Sequence, residues 1–215
     1  MRMVRVRIPN RQFMLLVAAL AMIAPGFAVA GGQKEASAGA EAEGDGQEVN
    51  YLGVAAVMIR DGNYDRAEQA LSQVNTEAGE FNAKRYYTLR GLLSLRQGDY
   101  AGAVEHFEEA IAHGQDDPTI DVYLAQAQYY NSNYEGALES VNSVSQLGRY
   151  PDLMSLKAEA QWQLDRRDQA YETITQAIEL FPSRTQYLRQ RITYLIRMNL
   201  TQEAAAQSEQ FLEKA

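Results

Sequence analysis

Few residues in this chain have the types and spacing to do chemistry. Two histidines, His106 and His113, stand seven apart with Glu109 between them. Intervals of three and four put all three on one helix face, and two imidazoles with a carboxylate could hold zinc. Seven helical residues, however, separate the imidazoles by about 10 Å, too far for one ion. A solvated helix face is the better reading, with His113 beside a helix C-terminus before Gly114. The acid pairs Glu108–Glu109 and Asp116–Asp117 could work as acid and base only inside a cleft; outside one they are solvated faces or caps. There is no serine–glycine elbow and no phosphate-cradling glycine loop. Cysteine is absent from the 215 residues, which excludes a disulfide framework, a zinc thiolate site and a cysteine nucleophile. A net charge of −8 argues against nonspecific affinity for nucleic acid or anionic membrane. The chain is therefore expected to have no catalytic, cofactor-binding or metal-ligating residues and not to be an enzyme.

The elements that must position any binding surface are helical hairpins. Leu89, Leu92, Leu93 and Leu95 fall at helix-like spacing and stop at Gln97-Gly98, where a glycine can take the left-handed conformation that ends a helix. Asp99 can cap the next helix, which places Ala103, Phe107 and Ala110 on one face. Small Gly91 and Ala103 would let the two helices approach closely. One hairpin cannot bury its own apolar stripe, and the pattern recurs. Ala103 is matched by Ala67 upstream and by Ala137, Ala170 and Ala204 downstream, at intervals of 36, 34, 33 and 34 residues. Four residues after each alanine stand Leu71, Phe107, Val141, Ile174 and Ser208. The small residue of the preceding helix is Ala55, Gly91, Ala125 and Ala158, with Ile192 breaking the series. Asp61-Gly62-Asn63-Tyr64, Gln97-Gly98-Asp99-Tyr100 and Asn131-Ser132-Asn133-Tyr134 read as inter-helix turns.

A period near 34 with this small–turn–Tyr–Ala–large skeleton resembles the tetratricopeptide repeat (TPR) family. The resemblance covers 48–215 and implies an all-α fold, a right-handed α-solenoid of about five hairpins near 48–81, 84–117, 118–150, 151–184 and 185–215. First helices are expected near 48–60, 84–97, 118–131, 151–164 and 185–198, and second helices near 63–76, 99–113, 133–146, 167–180 and 201–213. Pro118 and Pro151 suit first turns, where a missing N–H costs nothing, and Asp117 can cap the first of these helices. The last repeat departs most from the pattern, and its polar Gln202, Gln207, Glu209 and Glu213 suit a solenoid end.

Upstream of the repeats, residues 1–30 read as an export signal. Arg2, Arg5, Arg7 and Arg11 precede an apolar core, Pro25-Gly26 breaks it, and Ala28-Val29-Ala30 has the form cut by signal peptidase. The alternative is an uncleaved inner-membrane anchor facing the periplasm, since 13–30 just reaches spanning length. Either way the repeats are expected outside the cytoplasm, and membrane contact arises only if the segment stays uncleaved. Residues 31–47, rich in Gly, Ala and Glu, cannot bury enough surface to offset their ordering entropy and read as a flexible acidic linker.

The resemblance also implies where function lies. In TPR arrays the first helices line a concave groove that holds peptides or helices of a partner. Here that groove would present Arg85, Leu89, Leu92 and Arg96, then Tyr123, Gln126 and Tyr130, then Glu159, Trp162 and Gln163, then Thr193 and Arg197. Trp162 divides evenly between groove and hairpin core. The lysine–asparagine carboxylate clamp of some family members is absent, because Leu52, Ala56, Thr88, Leu92 and Gln126 stand at its positions. Aromatics flanked by Arg96 and Arg197 suit a segment with apolar and acidic side chains. The expected function is a non-catalytic periplasmic scaffold or adaptor for a protein or peptide partner of the cell envelope. The alternative is a cell-wall or carbohydrate-associated accessory factor that stacks sugars on the same aromatic groove.

Overall fold

A computed structural model of the protein describes residues 49–145 and 147–214, so the export segment and the linker lie outside the described residues. Ten α-helices follow one another: α1 (Tyr51–Arg60), α2 (Tyr64–Ser72), α3 (Ala83–Gln97), α4 (Tyr100–Ala112), α5 (Pro118–Tyr130), α6 (Tyr134–Ser143), α7 (Pro151–Gln163), α8 (Arg167–Leu180), α9 (Thr185–Arg197) and α10 (Thr201–Lys214). A 3-10 turn, Leu147–Arg149, sits before α7. Consecutive helices pair as hairpins, each hairpin packs on the next, and the result is an α-solenoid.

The register of small and large residues builds each hairpin. Ala55, Ala125, Ala158, Ala67, Ala103, Ala137 and Ala170 are all wholly buried. Gly91 is where the paired helices approach closely: a Cβ there would lie 2.6 Å from the Phe107 ring, and Phe107 is itself wholly buried. Where the small residue is alanine, its large counterpart is the smaller Leu71, Val141 or Ile174. In the last hairpin the sizes invert, Ile192 standing at the small position and Ser208 at the large one.

Turns and caps complete the pattern. One residue in the turn inside each hairpin has a left-handed backbone: Gly62, Gly98, Ser132, Asp165 and Asn199, with φ between 59° and 82°. Asp99 Oδ1 accepts from the Gly102 N–H, and Asp117 Oδ1 accepts from the Thr119 N–H, as their positions require. A buried polar pair also recurs between paired helices. Ser140 Oγ donates to Gln128 Oε1 and Thr173 Oγ1 donates to Gln161 Oε1, both at 2.7 Å. The equivalent pair in the α3–α4 hairpin is Ser94 with His106 Nδ1 at 3.4 Å.

Three helix ends differ from expectation. Helix α1 begins at Tyr51 rather than near 48, where Asn50 Oδ1 caps it by accepting from the Gly53 N–H. Helix α2 stops at Ser72 rather than near 76, and Asn75 Oδ1 instead accepts from the Glu77 N–H, a side-chain turn that competes with the helix. Helix α6 stops at Ser143 because Val144 takes an extended backbone and buries itself beside Val141 and Leu153.

Candidate partner-binding site

The first helices of successive hairpins touch one another, α1 with α3, α3 with α5 and α5 with α7. The second helices lie outside this layer; each touches the first helix of its own hairpin, and α2, α4, α6 and α8 also touch that of the following hairpin. The first-helix face therefore carries most of the residues singled out by the sequence.

Tyr123 and Tyr130 sit seven residues apart on α5 and are held differently. Tyr123 is half-buried and stacks on Phe107, ring centroids 5.9 Å apart. The absent side chain of Gly91 thus lets Phe107 in, and Phe107 backs Tyr123. Burial raises the Tyr123 phenol above the ordinary tyrosine range, while the nearby Arg96 charge acts in the opposite direction. Tyr130 is exposed and stacks on Tyr100 of the preceding turn at 5.0 Å. Tyr129 meets Tyr130 and Tyr134 edge-on, at 5.4 and 5.5 Å. Gln126 is half-buried between Tyr123 and Tyr130 in sequence. Of the α3 residues, Arg85 and Arg96 are exposed and Leu92 is half-buried.

Leu89 is a correction. It is only 6% exposed and packs in the core with Leu93, Ile59 and Leu71, so it is unavailable as groove lining. The α3 helix turns that position toward α1 and α2, whose apolar face needs covering.

A second cluster joins α7 to α9. Trp162 and Tyr194 stack almost parallel, centroids 4.6 Å apart and planes 4° from one another. The Arg197 guanidinium lies 5.5 Å from the Trp162 ring centroid, and that of Arg167 lies 5.8 Å away. Tyr194 Oη donates to Glu159 Oε1 at 3.1 Å, and Gln190 Nε2 donates to the same oxygen at 3.2 Å. Arg197 stands 4.0 Å from the other oxygen. Burial first, and the Glu159 charge second, push the Tyr194 and Tyr129 phenols well above the ordinary range, so both remain protonated at neutral pH. The structure thus brings together Glu159, Trp162 and Arg197 and adds Tyr194 and Gln190. Tyr194 is wholly buried; it stands where the other first helices carry Val57, Leu93, Ala127 and Ala160, and nothing in that register signals an aromatic. Trp162, half-buried, belongs to the core around Tyr187 and Tyr194 and still borders the face. Gln163 and Thr193 are exposed.

The two histidines are held elsewhere. Tyr87 stacks on His113 at 5.3 Å and on His106 at 6.5 Å, and His113 Nε2 lies 3.7 Å from Glu109 Oε2. Two surface depressions of about 460 and 350 Å³ lie on the α1–α2 hairpin, around Tyr64 and Arg66 and around Val54 and Met58. Among the described residues no helix is long and apolar enough to cross a membrane.

Paired helices stacked in one register, with a left-handed residue in the turn inside every hairpin, define a helical-repeat protein whose first helices form a continuous layer. Tetratricopeptide-repeat family models match residues 88–152 and 151–184. Residues 88–184 therefore carry tetratricopeptide repeats. Solved structures agree on the fold. MamA of strain AMB-1 is 20% identical, with a TM-score of 0.63 over 76% of this chain and 88% of that one. MamA from Desulfovibrio magneticus RS-1 is 17% identical, with a TM-score of 0.66 over 76% and 92%. PilF of Pseudomonas aeruginosa is 16% identical, with a TM-score of 0.59 over 77% and 75%. At these identities the likeness concerns the fold alone. No curated protein sequence matches the chain.

Proposed function

We propose that the protein is a non-catalytic periplasmic scaffold that holds a protein or peptide partner of the cell envelope on its first-helix groove. The observation that carries this reading is the arrangement of Tyr123, Gln126 and Tyr130 on one face of α5. The two rings are fixed from behind by Phe107 and Tyr100, beside an exposed Arg96. Rigid aromatic and arginine side chains already locked in place lose little entropy on binding, and such residues are typical interface hot spots. The export signal read from 1–30 supports the compartment. The test is the double variant Tyr123→Ala with Tyr130→Ala. Its melting curve should stay close to wild type, and capture of partners from envelope extract should fall by at least about tenfold, as loss of a hot spot of about 2 kcal/mol implies. A stable double variant that captures the same partners equally would sink the groove assignment. Binding to purified cell-wall sacculi in place of proteins would select the carbohydrate-associated alternative.

A further inference from the structure

Charge is divided between the two layers of the solenoid. The five first helices carry nine Lys and Arg against three Asp and Glu, whereas the five second helices carry three against thirteen. The whole chain is acidic at −8, so a basic first-helix layer runs against the composition. The three acids in that layer are already engaged or sheltered. Asp152 is paired with Arg184 at 3.2 Å, Glu159 is held by Tyr194, Gln190 and Arg197, and Asp121 is half-buried. Some of the bases are spent inside the fold, Arg90 on Glu68, Lys157 on Asn142 and Arg191 on Gln207.

Six bases remain exposed, Arg60, Lys84, Arg85, Arg96, Arg189 and Arg197, and three of them share one row. Arg60, Arg96, Tyr130, Gln163 and Arg197 occupy the same register position in the five first helices and are all exposed. The row contains no carboxylate. Arg96 has no ion pair among the described residues, and Arg197, its side chain 39% exposed, stands at the 4.0 Å limit from Glu159 and so keeps donors open to solvent. Arg60 pairs with its neighbour Asp61, the two side chains 74% and 44% exposed, and an ion pair this open to water is worth little and is readily exchanged. A surface of one sign concentrates ligands of the other and steers them into register.

Building on the groove assignment, we infer that the partner presents an acidic polypeptide segment, laid across the hairpins with its carboxylates on Arg60, Arg96 and Arg197 and apolar side chains against Tyr123 and Tyr130. Packed helices lie about 8–10 Å apart, and an extended chain covers about 3.3 Å per residue. Successive hairpins therefore match every third residue of such a segment, and five hairpins match about a dozen residues.

The test uses the full chain and three fluorescein-labelled peptides of about 14 residues. One carries Glu at every third position with Leu and Tyr between, the second has Gln in place of Glu, and the third has Lys. Anisotropy should show binding of the Glu peptide, weakened at least about tenfold on raising salt from about 50 to about 300 mM. Arg96→Gln with Arg197→Gln should weaken it at least about tenfold, while Arg66→Gln on α2 leaves it unchanged. Equal binding of the Gln peptide, tighter binding of the Lys peptide, indifference to the paired arginine substitutions, or no binding of the Glu peptide overturns the inference. The groove assignment is judged separately by the tyrosine variant. If envelope capture depends on Tyr123 and Tyr130 but the Glu and Gln peptides bind alike, the groove stands and its acidic occupant falls.

Discussion

The α3–α4 hairpin and the α9–α10 hairpin solve one packing problem in opposite ways. The first is held from within. Gly91 admits Phe107 against its backbone, Ser94 meets His106 across the pair, and Gly98 closes the turn at φ 82°. The second has Ile192 and Ser208 at the inverted positions, and Leu195 where a polar partner would be. It is held from outside, by α9 gripping α7. Tyr187 Oη donates to the Pro151 carbonyl at 2.8 Å, Tyr194 stacks on Trp162 and donates to Glu159, and both tyrosines are wholly buried. A repeat that loses its internal register can thus keep its place by investing in the interface with its neighbour, as expected when stability is a sum of repeat and interface terms.

The largest way to break this comparison is Tyr194→Ala. Truncating a buried aromatic costs about 3–5 kcal/mol, and this one also leaves the Glu159 carboxylate short of a donor. The melting curve should lose its last hairpin first, with α3–α4 unaffected. Hydrogen exchange on the wild type sharpens the point. Amides of α9 should be protected about as well as those of α3, whereas α10, where Ala204 is the buried apolar residue among those described, should exchange faster. Equal protection of α9 and α10 would mean that the last hairpin is internally held after all.

Next in size is Gly91→Ala. The added methyl meets the Phe107 ring at 2.6 Å, and overpacking of this kind costs about 1–3 kcal/mol. Because Phe107 backs Tyr123, the substitution should also weaken partner capture beyond its effect on stability. Ala137→Leu in the third hairpin should cost a similar amount without touching Phe107, so comparing the two separates stability from positioning. A wild-type melting curve for either variant would undo the small-residue register.

How much of this was legible follows from what side-chain size and local chemistry can encode. The hairpins, turn glycines, prolines and caps at Asp99 and Asp117 were readable because each depends on residues within a few positions. The ends of α2 and α6 were not, because an Asn75 turn and the burial of Val144 overrode the periodicity. In the site, the exposure of Arg96 and Tyr130 followed from register alone. The burial of Leu89 and the Trp162–Tyr194 stack did not, because each is decided by a neighbouring hairpin: α1 and α2 for Leu89, α7 for Tyr194. The division of charge between layers was present in the sequence but becomes visible only once helices are sorted into layers.

The smallest expected effect lies in the turns. The α3–α4 turn uses glycine at its left-handed position, whereas the α5–α6 turn uses Ser132 at φ 62°. A left-handed backbone costs an L-residue about 1–2 kcal/mol through its Cβ, less where a short polar side chain compensates locally. Serine is compensated less well than the asparagine that fills the equivalent turn at Asn199. Ser132→Gly should therefore relieve part of that strain, offset by the greater freedom glycine has in the unfolded chain. The net expectation is stabilisation of up to about 1 kcal/mol, read as a small rise in Tm. The reverse change, Gly98→Ser, should lower Tm by a similar amount. If Ser132→Gly destabilises instead, the unfolded-chain entropy outweighs the strain, and the two turns differ in residue without differing in cost.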